Sequence, residues 1–151
     1  MKTREQKQFL QNGNQQMYDN ILVPISLDTD RDGKTAMKVA QTLSGEDGQI
    51  FVLHVVEHLP QYSEDLLPAD HFEIAKSKIS EVLNPMLEGL ENATLNIVEG
   101  HSGRTILDYA ENHQADCIVI ASHRPGLQDY LSGSTAARVV RHASCAVHVV
   151  R

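Results

Sequence analysis

Five strand-length apolar runs alternate with helix-like segments along this chain, and this alternation restricts its possible folds more than any other feature. The runs lie in Tyr18 to Ser26, Gln49 to Val56, Ala93 to Val98, Cys117 to Ala121 and Ala146 to Val150. They are almost continuously apolar, which is typical of strands buried on both faces of a sheet. The order β-α-β-α-β-α-β-α-β therefore predicts an α/β protein with an open, five-stranded parallel sheet and helices on both faces.

The segments between the strands have apolar residues at helical spacing. They are Lys34 to Ser44, Ala69 to Leu90, Thr105 to His113 and Ser134 to His142. Gly45 predicts the end of the first helix. Pro85 predicts a kink or a break in the second, because proline lacks the backbone donor and clashes with the preceding turn. A long loop, Glu57 to Pro68, precedes that helix.

The length of 151 residues predicts one domain with a sizeable core. Residues 1–16 are polar and rich in Gln and Asn, so we expect a flexible extension there and a folded domain over residues 17–151. The net charge of −7 argues against nucleic acid or anionic membranes as partners, since both attract basic surfaces.

Localisation is predicted from what the sequence lacks. The apolar runs are too short for a transmembrane helix, and the first residues contain no apolar segment of a secretory signal. Cys117 and Cys145 lie in apolar contexts, where reduced thiols are expected rather than a disulfide. These features predict a cytoplasmic protein.

The segment between the fourth strand and the last helix is the best candidate for a ligand-binding loop. Gly133 allows a ligand to approach the backbone, and Ser134 and Thr135 add hydroxyl donors. The unpaired N–H groups and the dipole of a helix N-terminus favour an anion there. His123 and Arg124 could contact phosphate or ribose. The alternatives are an ordinary N-cap after a loop glycine and a solvated basic loop.

The position of this loop agrees with a general property of open parallel sheets. Ligands bind beyond the carboxyl ends of the strands, where neighbouring connections run in opposite directions. The ends of the first and fourth strands, Pro24 to Asp28 and Ala121 to Pro125, are expected to meet there. Ser102 opens the third helix as an N-cap or as a second anion contact.

Several standard catalytic motifs are missing from the sequence. It contains no Walker A motif, no G-x-G-x-x-G after the first strand, no G-x-S-x-G and no H-E-x-x-H. A P-loop NTPase, a classical dinucleotide enzyme, a serine hydrolase of the elbow type and a zincin metalloprotease are therefore disfavoured.

Several segments resemble the universal stress protein family. They are Ile21 to Ile25, Leu53 to Val56, Ala115 to Arg124 and Gly133 to Arg151. The resemblance covers about residues 17–151, and the Ser122-His123-Arg124-Pro125 form resembles the small bacterial F/G-type branch. It implies a Rossmann-like fold with strand order 3-2-1-4-5 and a homodimer paired through the last strand, residues 146–150.

Many members of that family bind ATP through a loop of pattern G-x-x-G-x₉-G-[S/T], so the resemblance implies ATP, with or without Mg²⁺, as the cofactor. By position, Ala121 and Arg124 stand at the first two glycines, and the loop is one residue shorter. Ser26 stands where ATP-binding members carry an acid. The implied nucleotide-binding residues are Pro24, Ile25, Ser26, Val55, Ala121, Ser122, His123, Arg124, Gly133, Ser134 and Thr135.

Three functions follow as hypotheses. The first is a stress-response protein that binds an adenine nucleotide without fast catalysis. The second is a homodimeric interaction protein that binds no nucleotide. The third is an ATP-dependent or phosphate-cleaving enzyme with steady turnover on the order of 1 s⁻¹ or faster. Under the first hypothesis we expect at most slow hydrolysis or self-phosphorylation, because no positioned base is evident.

Overall fold

One parallel sheet runs through the centre of the protein. The computed structural model describes residues 17–28, 32–45, 47–122 and 135–151. Its strands are β1 (Asn20–Pro24), β2 (Gln49–Glu57), β3 (Ala93–Gly100), β4 (Cys117–Ala121) and β5 (Ala146–Val150). Their order is β3-β2-β1-β4-β5, and every neighbouring pair is parallel. The predicted fold class and strand order are confirmed.

The helices follow the predicted alternation. They are α1 (Gly33–Ser44), α2 (Gln61–Glu64), α3 (His71–Leu83), a 3₁₀ turn (Asn84–Met86), α4 (Ser102–Asn112) and α5 (Thr135–His142). The short helix α2 lies in the predicted loop. The break predicted near Pro85 is confirmed, since α3 ends at Leu83 and gives way to the 3₁₀ turn. Helix α4 begins three residues before the predicted Thr105. Gly45 has a φ of 65° and ends α1 as predicted.

Two hydrophobic clusters cover the two faces of the sheet. On one face, Val23 and Val119 pack with Met37 of α1 and Leu83 of α3. On the other face, Leu22 and Ile118 pack with Ile106 of α4 and Val139 of α5. Adjacent residues of a strand point to opposite faces, so the central strands contribute to both clusters. This is why β1 and β4 are continuously apolar.

The edge strand β5 differs from the central strands. Every residue of β4 is buried, whereas Ala146 and His148 of β5 are exposed. All five residues of β5 pair in register with β4, from Cys117↔Ala146 to Ala121↔Val150. Among the described residues β5 has no strand on its other side, which leaves a candidate surface for pairing.

Candidate functional site

A cavity of about 290 Å³ lies beyond the carboxyl ends of β1 and β2. It lies on the face of the sheet covered by α4 and α5, next to the end of β4. The described residues that line it are Pro24, Ile25, Ser26, Asp28, Leu53, His54, Val55, Glu57, Ser102, Ile106, Ile120 and Thr135. Since β1 and β4 are neighbours whose connections lead to opposite sides of the sheet, the cavity lies at the expected switch point.

The cavity has an apolar floor and a polar rim. The floor consists of the side chains of Leu53, Val55, Ile106 and Ile120, which belong to the cluster on this face or pack against it. Hydroxyl groups and carboxylates surround the floor. They belong to Ser26, Asp28, Glu57, Ser102 and Thr135. Such a combination accommodates a flat apolar group with hydrogen-bonding groups at its edges.

Backbone contacts hold the segment after β1 against β2. The N–H of Ile25 donates to the carbonyl oxygen of Leu53 at 2.8 Å. The ring Nδ1 of His54 lies 2.8 Å from the carbonyl oxygen of Ile25. The lining residues Ile25 and Ser26 are therefore positioned by the sheet rather than by a loop alone.

The structure brings together five of the eleven residues that the sequence suggests for nucleotide binding. Pro24, Ile25, Ser26, Val55 and Thr135 all line the cavity. They come from β1, the segment after it, β2 and the first residue of α5.

The other six have different positions. Ala121, only 5% exposed, packs in the cluster on the α1 face. Ser122 donates its backbone N–H to the carbonyl oxygen of Val150 at 2.9 Å. Neither is among the described residues that line the cavity. The remaining candidates, His123, Arg124, Gly133 and Ser134, lie outside the described residues.

Asp28 lines the cavity although it is not among the residues suggested for nucleotide binding; the sequence indicated it only as the end of the range Pro24 to Asp28 expected at the switch point. The Ser26 hydroxyl donates to its carboxylate at 2.7 Å, and the N–H of Asp28 lies 3.2 Å from the Ser26 hydroxyl oxygen. Ser26 stands where ATP-binding members of the family that the sequence resembles carry an acid. Its hydrogen bond with Asp28 keeps a carboxylate close to that position. The signal in the sequence was the Ser-x-Asp spacing directly after the strand.

Glu57 is a second carboxylate on the rim, and it lies at the amino end of α4. Its Oε1 accepts a 2.9 Å hydrogen bond from the backbone N–H of Ser102 and another from the Ser102 hydroxyl. His101 Nδ1 lies 3.6 Å from Oε2. Burial raises the pKa of this carboxyl, but the Ser102 hydrogen bonds and His101 outweigh it and lower the pKa from its ordinary value. Ser102 is thus the first helical residue and a donor to Glu57, not the N-cap.

Other features of the described residues offer less for ligand binding. A smaller cavity of about 140 Å³, lined by residues that include Leu107, Ile118 and Cys145, lies between α4 and the start of β5. No group of three or more His, Cys, Asp or Glu residues within the described ranges could hold a metal ion. None of the described helices has the length and apolar character needed to cross a bilayer.

The chain is similar to known proteins in both sequence and fold. Residues 17–151 match the model of the Universal stress protein family. Universal stress protein A homolog 2 of Coxiella burnetii is 31% identical over 146 residues, covering 89% of this chain and 95% of that protein. The solved structure of hypothetical protein MJ0577 has a TM-score of 0.71 at 20% identity, over 89% of this chain and 96% of its own.

Two solved structures of this fold contain adenine nucleotides. A universal stress protein in complex with cAMP has a TM-score of 0.64 at 20% identity, over 89% of this chain and 98% of its own. The universal stress protein from Archaeoglobus fulgidus in complex with dAMP has a TM-score of 0.60 at 18% identity, over 89% of this chain and 99% of its own. At these identities the likeness shows a shared fold.

Proposed function

Because the chain belongs to the universal stress protein family, we propose that it is a stress-response protein that binds an adenine nucleotide, ATP among them, without fast catalysis. The nucleotide occupies the cavity beyond β1 and β2. Its base lies on the apolar floor at Val55, and its phosphates face the start of α5 at Thr135. The observation that carries this proposal is the convergence of Pro24, Ile25, Ser26, Val55 and Thr135 on one cavity.

The polar groups on the rim can form hydrogen bonds with the ribose, the adenine amino group and the phosphates of a nucleotide. The Asp28 carboxylate can accept hydrogen bonds from ribose hydroxyls or from the adenine amino group. The hydroxyl of Thr135 and the backbone N–H groups of the first turn of α5 can donate to phosphate. The complexes with cAMP and dAMP in two proteins of the same fold support an adenine nucleotide as the ligand class.

Calorimetric titration of the full chain with ATP, ADP and AMP, with and without Mg²⁺, tests the proposal. The informative variant is Val55→Phe, which fills the floor of the cavity. Its matched control is Val98→Phe, because Val98 is the register partner of Val55 on β3, packs against the same cluster and is not among the described lining residues. Both substitutions overpack a half-buried site to a similar degree.

We expect wild type and Val98→Phe to bind at least one of these nucleotides, and Val55→Phe to bind it at least about ten-fold more weakly, because its ring takes the space of the base. Circular dichroism establishes that both variants fold. Failure of the folded wild type to bind any of them at millimolar concentration would contradict the proposal. Equal weakening by both variants would also contradict it.

A second candidate function, a homodimeric interaction protein, is favoured by the geometry of β5. The N–H of Ala146 donates to the Asp116 carbonyl, and the carbonyl of Val150 accepts from Ser122, so both residues direct their backbone groups toward β4. Since backbone groups alternate along a strand, those of Val147 and Val149 face the open edge. A second copy of the chain could add its own β5 there.

Light scattering with Val149→Pro tests this second function. Proline removes an outward N–H while leaving the hydrogen bonds to β4 intact, and Val149→Thr is the control because it keeps that N–H. We expect wild type and Val149→Thr to be dimers and Val149→Pro to be a monomer. A monomeric wild type would contradict the dimer. An intact dimer from which no adenine nucleotide can be extracted would favour this function over the first.

A further inference from the structure

Two helices begin at the rim of the cavity, and each could receive the phosphate of a ligand. Ser102 is the first residue of α4 and Thr135 is the first residue of α5, and both line the cavity. A helix N-terminus attracts an anion through its unpaired N–H groups and its dipole. The shape of the cavity therefore leaves two opposite orientations of a bound nucleotide possible.

The amino end of α4 is already occupied by a carboxylate of the protein. Glu57 reaches it from the end of β2 and accepts hydrogen bonds from the backbone N–H and the hydroxyl of Ser102. His101, which precedes the helix, lies beside the other carboxylate oxygen. Two donors that a phosphate could use there, the N–H and the hydroxyl of Ser102, are therefore engaged, and the carboxylate repels a second anion.

The amino end of α5 differs from that of α4 in this respect. Its first turn contains no acidic residue, and Thr135 presents a hydroxyl that can donate. The start of α4 thus has a carboxylate bound to it, that of Glu57, whereas the first turn of α5 contains no acidic residue. On the assumption that the proposed function is correct, this asymmetry determines the direction in which the nucleotide binds.

We propose that Glu57 is the residue that orients the nucleotide: it closes the amino end of α4 to phosphate and directs the phosphates to the start of α5. Glu57 acts through charge and through its occupation of Ser102, and it makes no covalent step. Removing the Glu57 carboxylate strengthens the binding of negatively charged ligands relative to uncharged ones. The side chain is 58% exposed, so solvent weakens its effect and we expect changes of a few-fold.

The ratio of AMP affinity to adenosine affinity tests the proposal, because a general loss of structure weakens both ligands alike. Thr135→Ala and Ser102→Ala form a matched pair, each removing one hydroxyl from the first residue of a helix. We expect Thr135→Ala to lower the ratio about ten-fold, since a hydrogen bond to a charged group is lost. Ser102→Ala should leave the ratio within about two-fold of wild type.

Removing the charge of Glu57 provides a second test of the proposal. Glu57→Gln keeps an acceptor for both Ser102 hydrogen bonds, and we expect it to raise the ratio about three-fold at low salt and less at 0.5 M salt. Glu99→Gln is the control. It removes a carboxylate at the end of the adjacent strand β3, where Glu99 lies near His71 and is not among the described lining residues. It should change the ratio by less than half as much as Glu57→Gln does.

The outcomes separate this proposal from the proposed function. A ratio that falls with Ser102→Ala and not with Thr135→Ala would overturn the orientation. Equal responses to Glu57→Gln and Glu99→Gln would overturn the role of Glu57, even if the wild type binds both ligands. A wild-type protein that binds neither ligand would overturn the proposed function itself, and with it this assignment.

Discussion

The hydroxyl of Ser26 donates a 2.7 Å hydrogen bond to the carboxylate of Asp28, and both residues line the cavity beyond β1. The acid that the family pattern expects at position 26 is thus replaced by a serine that orients an acid two residues later. A carboxylate is still available on the rim, although its backbone position has changed. This pairing leads to a prediction for nucleoside binding.

We predict that Asp28→Ala weakens adenosine binding about ten-fold, because hydrogen bonds to a charged acceptor are lost. Ser26→Ala should weaken it less, by about three-fold, since the carboxylate remains but loses its orienting donor. Calorimetry measures both constants. Asp65→Ala removes an exposed carboxylate that is not among the described lining residues and serves as the control. Adenosine binding that is unchanged in Asp28→Ala would exclude this carboxylate from the site.

Leu83 and Val82 are neighbours at the end of α3 with opposite environments. Leu83 is 1% exposed in the cluster on the α1 face, whereas Val82 is 59% exposed. Leu83→Ala should lower the free energy of unfolding by about 2–5 kcal/mol because it leaves a cavity. Val82→Ala should change it by less than about 0.5 kcal/mol. Urea denaturation compares the two, and similar losses in both would contradict the assigned packing of α3.

The pairing of Glu57 with Ser102 and His101 makes stability depend on pH. These contacts lower the pKa of Glu57 in the folded state despite the opposing effect of burial. A lowered folded-state pKa stabilises the protein above the unfolded pKa of about 4.3, and this contribution is lost as pH falls through the folded value. The stability difference between wild type and Glu57→Gln should therefore be larger at pH 7 than at pH 3. A difference that grows toward pH 3 would show that the sign is wrong.

The two cysteines should differ in reactivity although both are free. Burial, together with Cys145 and Asp116, raises the pKa of the Cys117 thiol to about 11, and the side chain is 1% exposed. Cys145 is only partly buried, although burial raises its pKa as well. We expect iodoacetamide at pH 8 to label Cys145 first in the native protein and to label both when the protein is unfolded. Equal native labelling rates, measured by mass spectrometry, would contradict this environment for Cys117.

Much of the fold could be predicted because the informative patterns are local. Continuous apolar runs identify buried strands, and helical spacing between them identifies the crossovers. The general rule for parallel sheets predicts a ligand crevice at the ends of β1 and β4. Pro24, Ile25 and Ser26 line the cavity there, whereas Ala121 and Ser122 are not among its described lining residues. The resemblance to the family supplied the strand order and the candidate role of Val55.

The pairing of Glu57 with Ser102 could not be predicted because it is a contact between distant segments. Glu57 and Ser102 are 45 residues apart, and no local pattern indicates that they pair. The sequence pattern begins the third helix at Thr105, whereas α4 begins at Ser102 and includes Gly103. In the structure this glycine lies inside the helix, where a Cβ atom would be 2.6 Å from the Cδ atom of Arg138 on α5. Close packing of α4 on α5 therefore explains a glycine that the sequence pattern alone assigns to a loop.

The most direct test of the central claim, that an adenine nucleotide occupies the cavity beyond β1 and β2, is a methyl NMR titration of the full chain with AMP. The account predicts shifts for the methyl groups of Ile25, Val55, Ile106 and Ile120, which line that cavity. The methyl groups of Leu83 and Val82, on the opposite side of the sheet, should not shift. Shifts centred on Leu107 and Ile118 around the smaller cavity, or no shifts at saturating AMP, would contradict it.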